Sequence, residues 1–204
     1  INKTLTIIYI YTNIMKLAII DLEWTAWKGS KNRNWSLEFE QREIVEFGFV
    51  SFKNFNTNNI LKKNFHFKTK NEISNYFTNL TKITKQYNNA NGKSFDLNFL
   101  EINRLMDNSK IILCNGLDKE VLIENFKMRN KRAPIFLNKI RDISPILSNY
   151  FNDKKEHVVS SELLDILKVK NNIKNKHRAA DDAHIIFLAL KYLIENGKIK
   201  ILDL

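Results

Sequence analysis

The sequence holds a single cysteine, Cys114, which excludes an intramolecular disulfide and a cysteine-based zinc site. A lone thiol fits a reducing compartment, so a cytoplasmic location is the expectation. No run is long and apolar enough to span a bilayer, and no membrane partner is expected. Residues 5–14 are apolar but short, broken by Thr and Asn, and followed by no small-residue cleavage site, which makes them a poor signal peptide. Met15 directly precedes the first convincing strand. Residues 1–14 therefore read as a non-native or dispensable extension, and 15–204 as a single domain. No internal repeat is visible. Acidic residues are also scarce, with 22 Asp and Glu against 33 Lys and Arg. The resulting net charge of +11 favours a polyanionic partner, nucleic acid or an anionic membrane surface, unless the cations are spread evenly.

What is present suffices for a core. The chain has 204 residues, 44% of them hydrophobic, which suits one globular α/β domain and not a disordered chain. Leu17 to Ile20 is an apolar run that reads as a buried strand. Residues 28–42 form a polar, basic loop. Residues 43–52, EIVEFGFVSF, give a second strand, and Ile60 to Lys68 an edge strand, so that the three make a meander, with the first strand central to the domain. The spacing of Ile73, Phe77, Leu80 and Ile83 predicts a helix over 71–86. A further helix is expected from Phe95 to Met106, then a short buried strand from Lys110 to Cys114 that ends in an Asn115-Gly116 turn. Leu117 to Lys131 reads as a helix, and Phe136 to Ile143 as a fifth strand. Pro145 opens a helix, Ser160-Ser161-Glu162 suggests a cap for a short one, and Ala179 to Asn196 forms the last, closed by Gly197. This order gives a mixed sheet with helices packed on it.

The chemistry gathers at element ends. Asp21 and Glu23 are two apart at the end of a strand and so share a face. Two half-buried like charges repel, a cost that a divalent metal removes, with Mg²⁺ or Mn²⁺ suited to hard oxygen ligands. The bland reading is two unrelated acids at a solvated strand end. Asp118 follows the Asn115-Gly116 turn and could be a helix cap. His177 precedes the last helix and could be a surface residue. Asp182 lies in its first turn, where a carboxylate favours the helix dipole. Together they make four acids and a histidine at strand and helix ends of a basic protein.

These motifs resemble those of the DEDDh group of 3′–5′ exonucleases, on the RNase H-like fold. The first is Asp21-Leu-Glu23-Trp-Thr25, the second Asn115-Gly-Leu-Asp118, and the third His177-Arg-Ala-Ala-Asp-Asp182, matching H-x-A-x-x-D. Glu43 to Gly48 is similar to the family's second strand. Ile73 to Thr84 resembles the segment before its mid-chain turn, although Lys82 stands where the family has glycine. The likeness covers residues 16–196. The insert between Trp27 and Glu43 is similar to that of the exoribonuclease branch.

The resemblance implies a five-stranded mixed sheet with helices on both faces, and a two-metal hydrolysis of the terminal phosphodiester of single-stranded RNA or DNA 3′ ends. It implies that Asp21 bridges two Mg²⁺ (or Mn²⁺), that Glu23 and Asp182 complete one site, and that Asp118 holds the second. It implies that His177 is the general base, with Glu23 beside it at the reacting centre. Thr25 and the backbone at Leu22 and Trp24 would meet the terminal sugar. Lys174, Lys176 and Arg178 in the linker, with Lys28, Lys31, Arg33 and Arg42 near the first motif, suit a phosphate backbone. Trp35 could stack a base or pack on its own domain. Rival readings are a DNA proofreading or repair exonuclease, a nucleic-acid-binding module without catalysis, and a basic scaffold for a protein partner.

Overall fold

The structure, a computed structural model, describes residues 16–151, 158–173 and 175–204. The proposed extension at 1–14 and Lys174 lie outside the described residues.

Five strands form one sheet in the order β3-β2-β1-β4-β5. β1 (Leu17–Trp24), β2 (Ile44–Phe52) and β3 (Leu61–His66) are the expected antiparallel meander, while β4 (Ile111–Cys114) and β5 (Ile140–Asp142) join parallel beyond β1. Among the described residues seven α-helices accompany the sheet: α1 (Asn75–Thr81), α2 (Lys85–Asn91), α3 (Phe95–Asp107), α4 (Asp118–Met128), α5 (Ser144–Phe151), α6 (Leu163–Ile166) and α7 (Ala179–Glu195). No helix among the described residues is long and apolar enough to cross a membrane.

Alternation along β1 divides the interior in two. Leu17 and Ile19 join a core with Ala183, Ile186 and Leu190 of α7. Ala18, Ile20 and Leu22 join the opposite core, with Phe99 and Ile102 of α3 and Phe126 of α4. Each fully buried Phe, Leu or Ile contributes on the order of 2 kcal/mol, so both faces of β1 are strongly held. The expected helices on both faces are thereby present.

Three local expectations need correction. The predicted helix over 71–86 is two helices. Ser74 caps α1 by accepting from the Phe77 N–H at 3.0 Å, and Thr84 caps α2 by accepting from the Tyr87 N–H at 3.0 Å. Between them Lys82 takes the left-handed conformation with φ 63°, so a lysine fills the turn where glycine was expected. The predicted fifth strand is mostly a 3₁₀ turn, Ile135–Lys139, leaving only Ile140–Asp142 to pair. Finally, no serine side chain caps the short α6; Ser160 and Ser161 lie in a 3₁₀ turn ahead of it.

Candidate functional site

Asp21 and Glu23 follow Leu17 and Ile19 on the α7 side of β1, as their spacing requires. Asp118 arrives from β4, which runs parallel to β1 and ends beside it. The turn after β4 is fastened twice. The Gly116 N–H donates to Asp142 Oδ1 at 2.8 Å, and Asn115 Nδ2 donates to the Val158 carbonyl at 2.8 Å and to Ser160 Oγ at 3.0 Å. Asp118 caps no helix: its Oδ1 accepts from the Leu22 N–H of β1 at 2.8 Å. Ser160, which sequence reasoning placed in a cap, instead accepts a hydrogen bond from Asn115 and stands near Asp21, where its hydroxyl favours the charged carboxylate.

His177 and Asp182 arrive with the start of α7, which rests on β2 at Gly48. A Cβ there would lie 2.1 Å from the Ala179 carbonyl, so only glycine permits the approach. The start of α7 is also tied electrostatically. Arg178 Nε donates to both oxygens of Glu46, at 3.0 and 3.1 Å, and the Ala179 N–H donates to Oε2 at 3.2 Å. His66 Nδ1 lies 3.0 Å from the same carboxylate. His177 itself is left-handed, with φ 59°. One ligand-type atom from each of Glu23, His177 and Asp182 lies within 4.8 Å of the others.

The electrostatics are those of a crowded anion site. Burial pushes the Asp21 carboxyl well above the usual range, and repulsion from Asp118, Asp182 and Glu23 adds to it. Burial likewise raises Glu23, with Asp182, Glu46 and Asp118 reinforcing it and Arg178 partly offsetting it. Asp118 and Asp182 are each pushed up to about 7, chiefly by burial. Burial also lowers the His177 imidazole, aided by Lys176, which keeps it neutral and able to accept a proton near neutral pH.

The donor set fits a divalent cation. Among the described residues none of these four carboxylates forms an ion pair with lysine or arginine, and Asp182 Oδ1 is buried without a hydrogen-bond partner. Hard, anionic oxygens left uncompensated in a buried cluster are what Mg²⁺ or Mn²⁺ requires.

The five motif residues therefore converge, whereas the expected substrate contacts mostly serve the fold. Thr25 is 1% exposed; its hydroxyl donates to the Gln41 carbonyl at 2.5 Å and accepts from the Glu43 N–H at 2.9 Å. Its one proton is thus committed away from a sugar. Leu22 is buried and offers its N–H to Asp118, and Trp24 is half-buried. Trp35 Nε1 donates to the Thr25 carbonyl at 3.3 Å, with its ring 6.2 Å from Trp24 and under the Arg42 guanidinium. It packs on its own domain. Arg178 is taken by Glu46, Lys176 by Asp165, Arg33 by Glu40 and Arg42 by Glu124. Asp181 turns to Lys62 on β3. The Glu46–Arg178–His66 cluster escaped sequence reasoning, although a glutamate inside an otherwise apolar strand is a signal of a buried partner.

The family model described as Exonuclease (RNase_T) matches residues 18–190. No significant match was found among curated proteins. Among solved structures, the chain is similar to cell-death related nuclease 4 (CRN-4), with a TM-score of 0.72 at 16% identity, covering 91% of this chain and 65% of that one. It is similar to the nuclease domain of 3′hExo, a DEDDh family member bound to rAMP, with a TM-score of 0.71 at 18% identity, covering 91% and 94%. It is similar to E. coli Exonuclease I in complex with a dT13 oligonucleotide, with a TM-score of 0.65 at 15% identity, covering 88% and 41%. The chain thus spans less than two thirds of the first and third of these, and at such identities the likeness is one of fold.

Proposed function

The chain belongs to the exonuclease family matched over residues 18–190, on the fold of the DEDDh 3′ exonucleases, and from that premise we propose that it removes nucleotides one at a time from single-stranded 3′ ends. The observation that carries the reading is the meeting of Glu23, His177 and Asp182 within 4.8 Å, beside Asp21 and Asp118.

Asp21, Glu23, Asp118 and Asp182 would hold two Mg²⁺ or Mn²⁺ ions. Bound divalent cations neutralise such a cluster, lower the pKa of an attacking water and stabilise charge on the leaving oxygen. His177, neutral by its burial, accepts the proton of that water as its oxygen bonds to phosphorus. The phosphorus–O3′ bond breaks, and the departing oxygen takes a proton from solvent. The products are a nucleoside 5′-monophosphate and a strand shortened by one residue, with a free 3′-hydroxyl. Glu46 and Arg178 hold the base in place by fixing the start of α7.

RNA is favoured over DNA as the substrate. Support comes from the insert between Trp27 and Glu43 and from the match over 94% of the length of the relative bound to rAMP, against 41% of the one bound to dT13. The test is matched RNA and DNA oligonucleotides, labelled at the 5′ end, incubated with Mg²⁺, Mn²⁺ or EDTA. Stepwise shortening from the 3′ end with release of 5′-monophosphates, faster on RNA and absent in EDTA, is the expected result. Internal cleavage, or equal activity in Asp21→Asn protein, would overturn it.

A further inference from the structure

Away from the carboxylates, the end of α4 and the segment after β3 enclose a cleft of about 610 Å³. Lys68, Lys70, Arg129 and Lys131 line it, as does Phe95, whose buried ring lies under the Arg129 guanidinium. Its two acids are already compensated. Glu43 is buried, bound by Arg129 at 2.6 Å, and accepts the N–H groups of Lys70 and Asn71 at 2.8 and 2.9 Å. Asp96 pairs with Lys131 at 2.8 Å. Lys68 and Lys70 are exposed, and among the described residues neither forms an ion pair. Their loop is not loose: Glu43 grips it at Lys70, and Asn88 Oδ1 accepts from the Thr69 N–H at 3.2 Å. Two unpaired cations on a fastened loop lose little entropy on meeting an anion.

This cleft runs toward the catalytic strand. Met128 lines both it and an adjoining cleft of about 520 Å³, lined by Trp35, Arg42 and Lys127 and by three acids, of which Glu40 and Glu124 pair with Arg33 and Arg42 and Glu38 is exposed. Trp35 is bonded to the carbonyl of Thr25, the residue that follows β1. Thr25, Trp35 and Met128 thus link the end of β1 to the cleft that holds Lys68 and Lys70.

We propose that this cleft is a second phosphate-binding surface, holding the body of the single-stranded nucleic acid whose 3′ end occupies the carboxylate site. The proposal rests on the exonuclease reading and extends it from the terminal bond to the strand behind it. A concave cleft with exposed, unpaired lysines fits a flexible polyphosphate chain.

The test is Lys68→Glu with Lys70→Glu, read three ways. Binding of a fluorescent 20-nucleotide RNA is followed by anisotropy in EDTA as a function of salt. Cleavage of that RNA and of a dinucleotide too short to reach the cleft is followed in Mg²⁺. Binding to phosphatidylserine vesicles is measured alongside. The expected result is at least about tenfold weaker binding of the long RNA, with its salt slope reduced by about 1.4, or 0.7 for each lost contact on a single strand. Dinucleotide cleavage and thermal stability are unchanged. Wild-type affinity for the long RNA in the variant overturns the proposal. So does an equal loss on both substrates, which would place the lysines in the fold or the reacting centre. Loss confined to vesicle binding overturns it in favour of a lipid partner. If the wild-type chain cleaves neither substrate, the exonuclease reading fails, and the anisotropy result still decides the surface on its own.

Discussion

Arg178 grips Glu46 through two nitrogens, and the residue before Arg178 is the base, His177. The ion pair is therefore a handle on the base. Arg178→Ala should destabilise the protein by about 3 kcal/mol, because it leaves the Glu46 carboxylate buried with only His66 and the Ala179 N–H to meet its charge. It should also slow single-turnover cleavage while leaving KM nearly unchanged. Thermal melts and single-turnover rates on the same preparation check both parts; a fall in stability without a fall in rate would make the pair purely structural.

Gly48 lies under Ala179 with no room for a methyl group. Gly48→Ala should push the start of α7 off β2, costing about 1–3 kcal/mol or more. Because His177 and Asp182 move with that helix, metal affinity should fall along with activity. Isothermal titration with Mn²⁺ and a melting curve report the two effects. An unchanged Mn²⁺ affinity would show that α7 is positioned by something other than this contact.

His177 and Asp182 should separate in function. His177→Ala should keep most metal-induced stabilisation and substrate affinity yet slow the chemical step by about 10²–10⁴-fold, the usual worth of a positioned base. Asp182→Asn should lose metal affinity as well. Metal titration and single-turnover cleavage of both variants decide the matter. Wild-type cleavage by His177→Ala would place the base elsewhere.

Without metal, the acid cluster should make stability depend on pH. Asp118 and Asp182 are pushed from an ordinary 3.8 to about 7 in the folded chain. Folding thus raises their affinity for protons. Their contribution is full below about pH 4 and is lost as pH rises toward 7, at a limiting slope near 1.4 kcal/mol per unit for each group. The melting temperature of EDTA-treated protein should fall between about pH 4 and 7. Asp182→Asn should flatten that fall and raise the melting temperature at pH 8, and Mg²⁺ should suppress it in the wild type. A flat profile in EDTA would mean that the cluster is already neutralised from within the chain.

Much of this site is legible in the sequence because its parts obey local rules. Two acids two apart on an apolar run must share a face of a buried strand, and an acid after a strand-ending Asn-Gly must stand at the same sheet end. The misreadings arose where tertiary partners outweighed local pattern. Helical spacing from Ile73 to Ile83 concealed the break at Lys82, since a left-handed lysine leaves no mark on hydrophobic periodicity. The apolar run from Phe136 concealed a 3₁₀ turn, because Phe136 and Leu137 are buried as they would be in a strand. The basic flanks looked like phosphate contacts, but Arg33, Arg42, Lys176 and Arg178 each meet a carboxylate, at separations from 7 residues for Glu40 to 132 for Glu46. None of these pairs has the three- or four-residue spacing that a helix makes legible. For the same reason Lys68 and Lys70, two cations without an ion pair among the described residues, could not be singled out.

β1 is bonded along both edges, packed on both faces and central in the five-stranded sheet. Its amide protons should be among the last in the domain to exchange with deuterium, opening only with global unfolding. His177, by contrast, follows a surface linker, and its neighbours should exchange through small local openings. The two acids of β1 and the base thus stand on parts of the molecule with different lifetimes. A thermal fluctuation can withdraw the base for a moment without disturbing Asp21 and Glu23. Turnover could then be tuned by changes in the linker, residues 168–176, with no substitution at the site itself. Exchange measured amide by amide, with slow protection at Ile19 to Leu22 and fast exchange before His177, is the pattern this division requires.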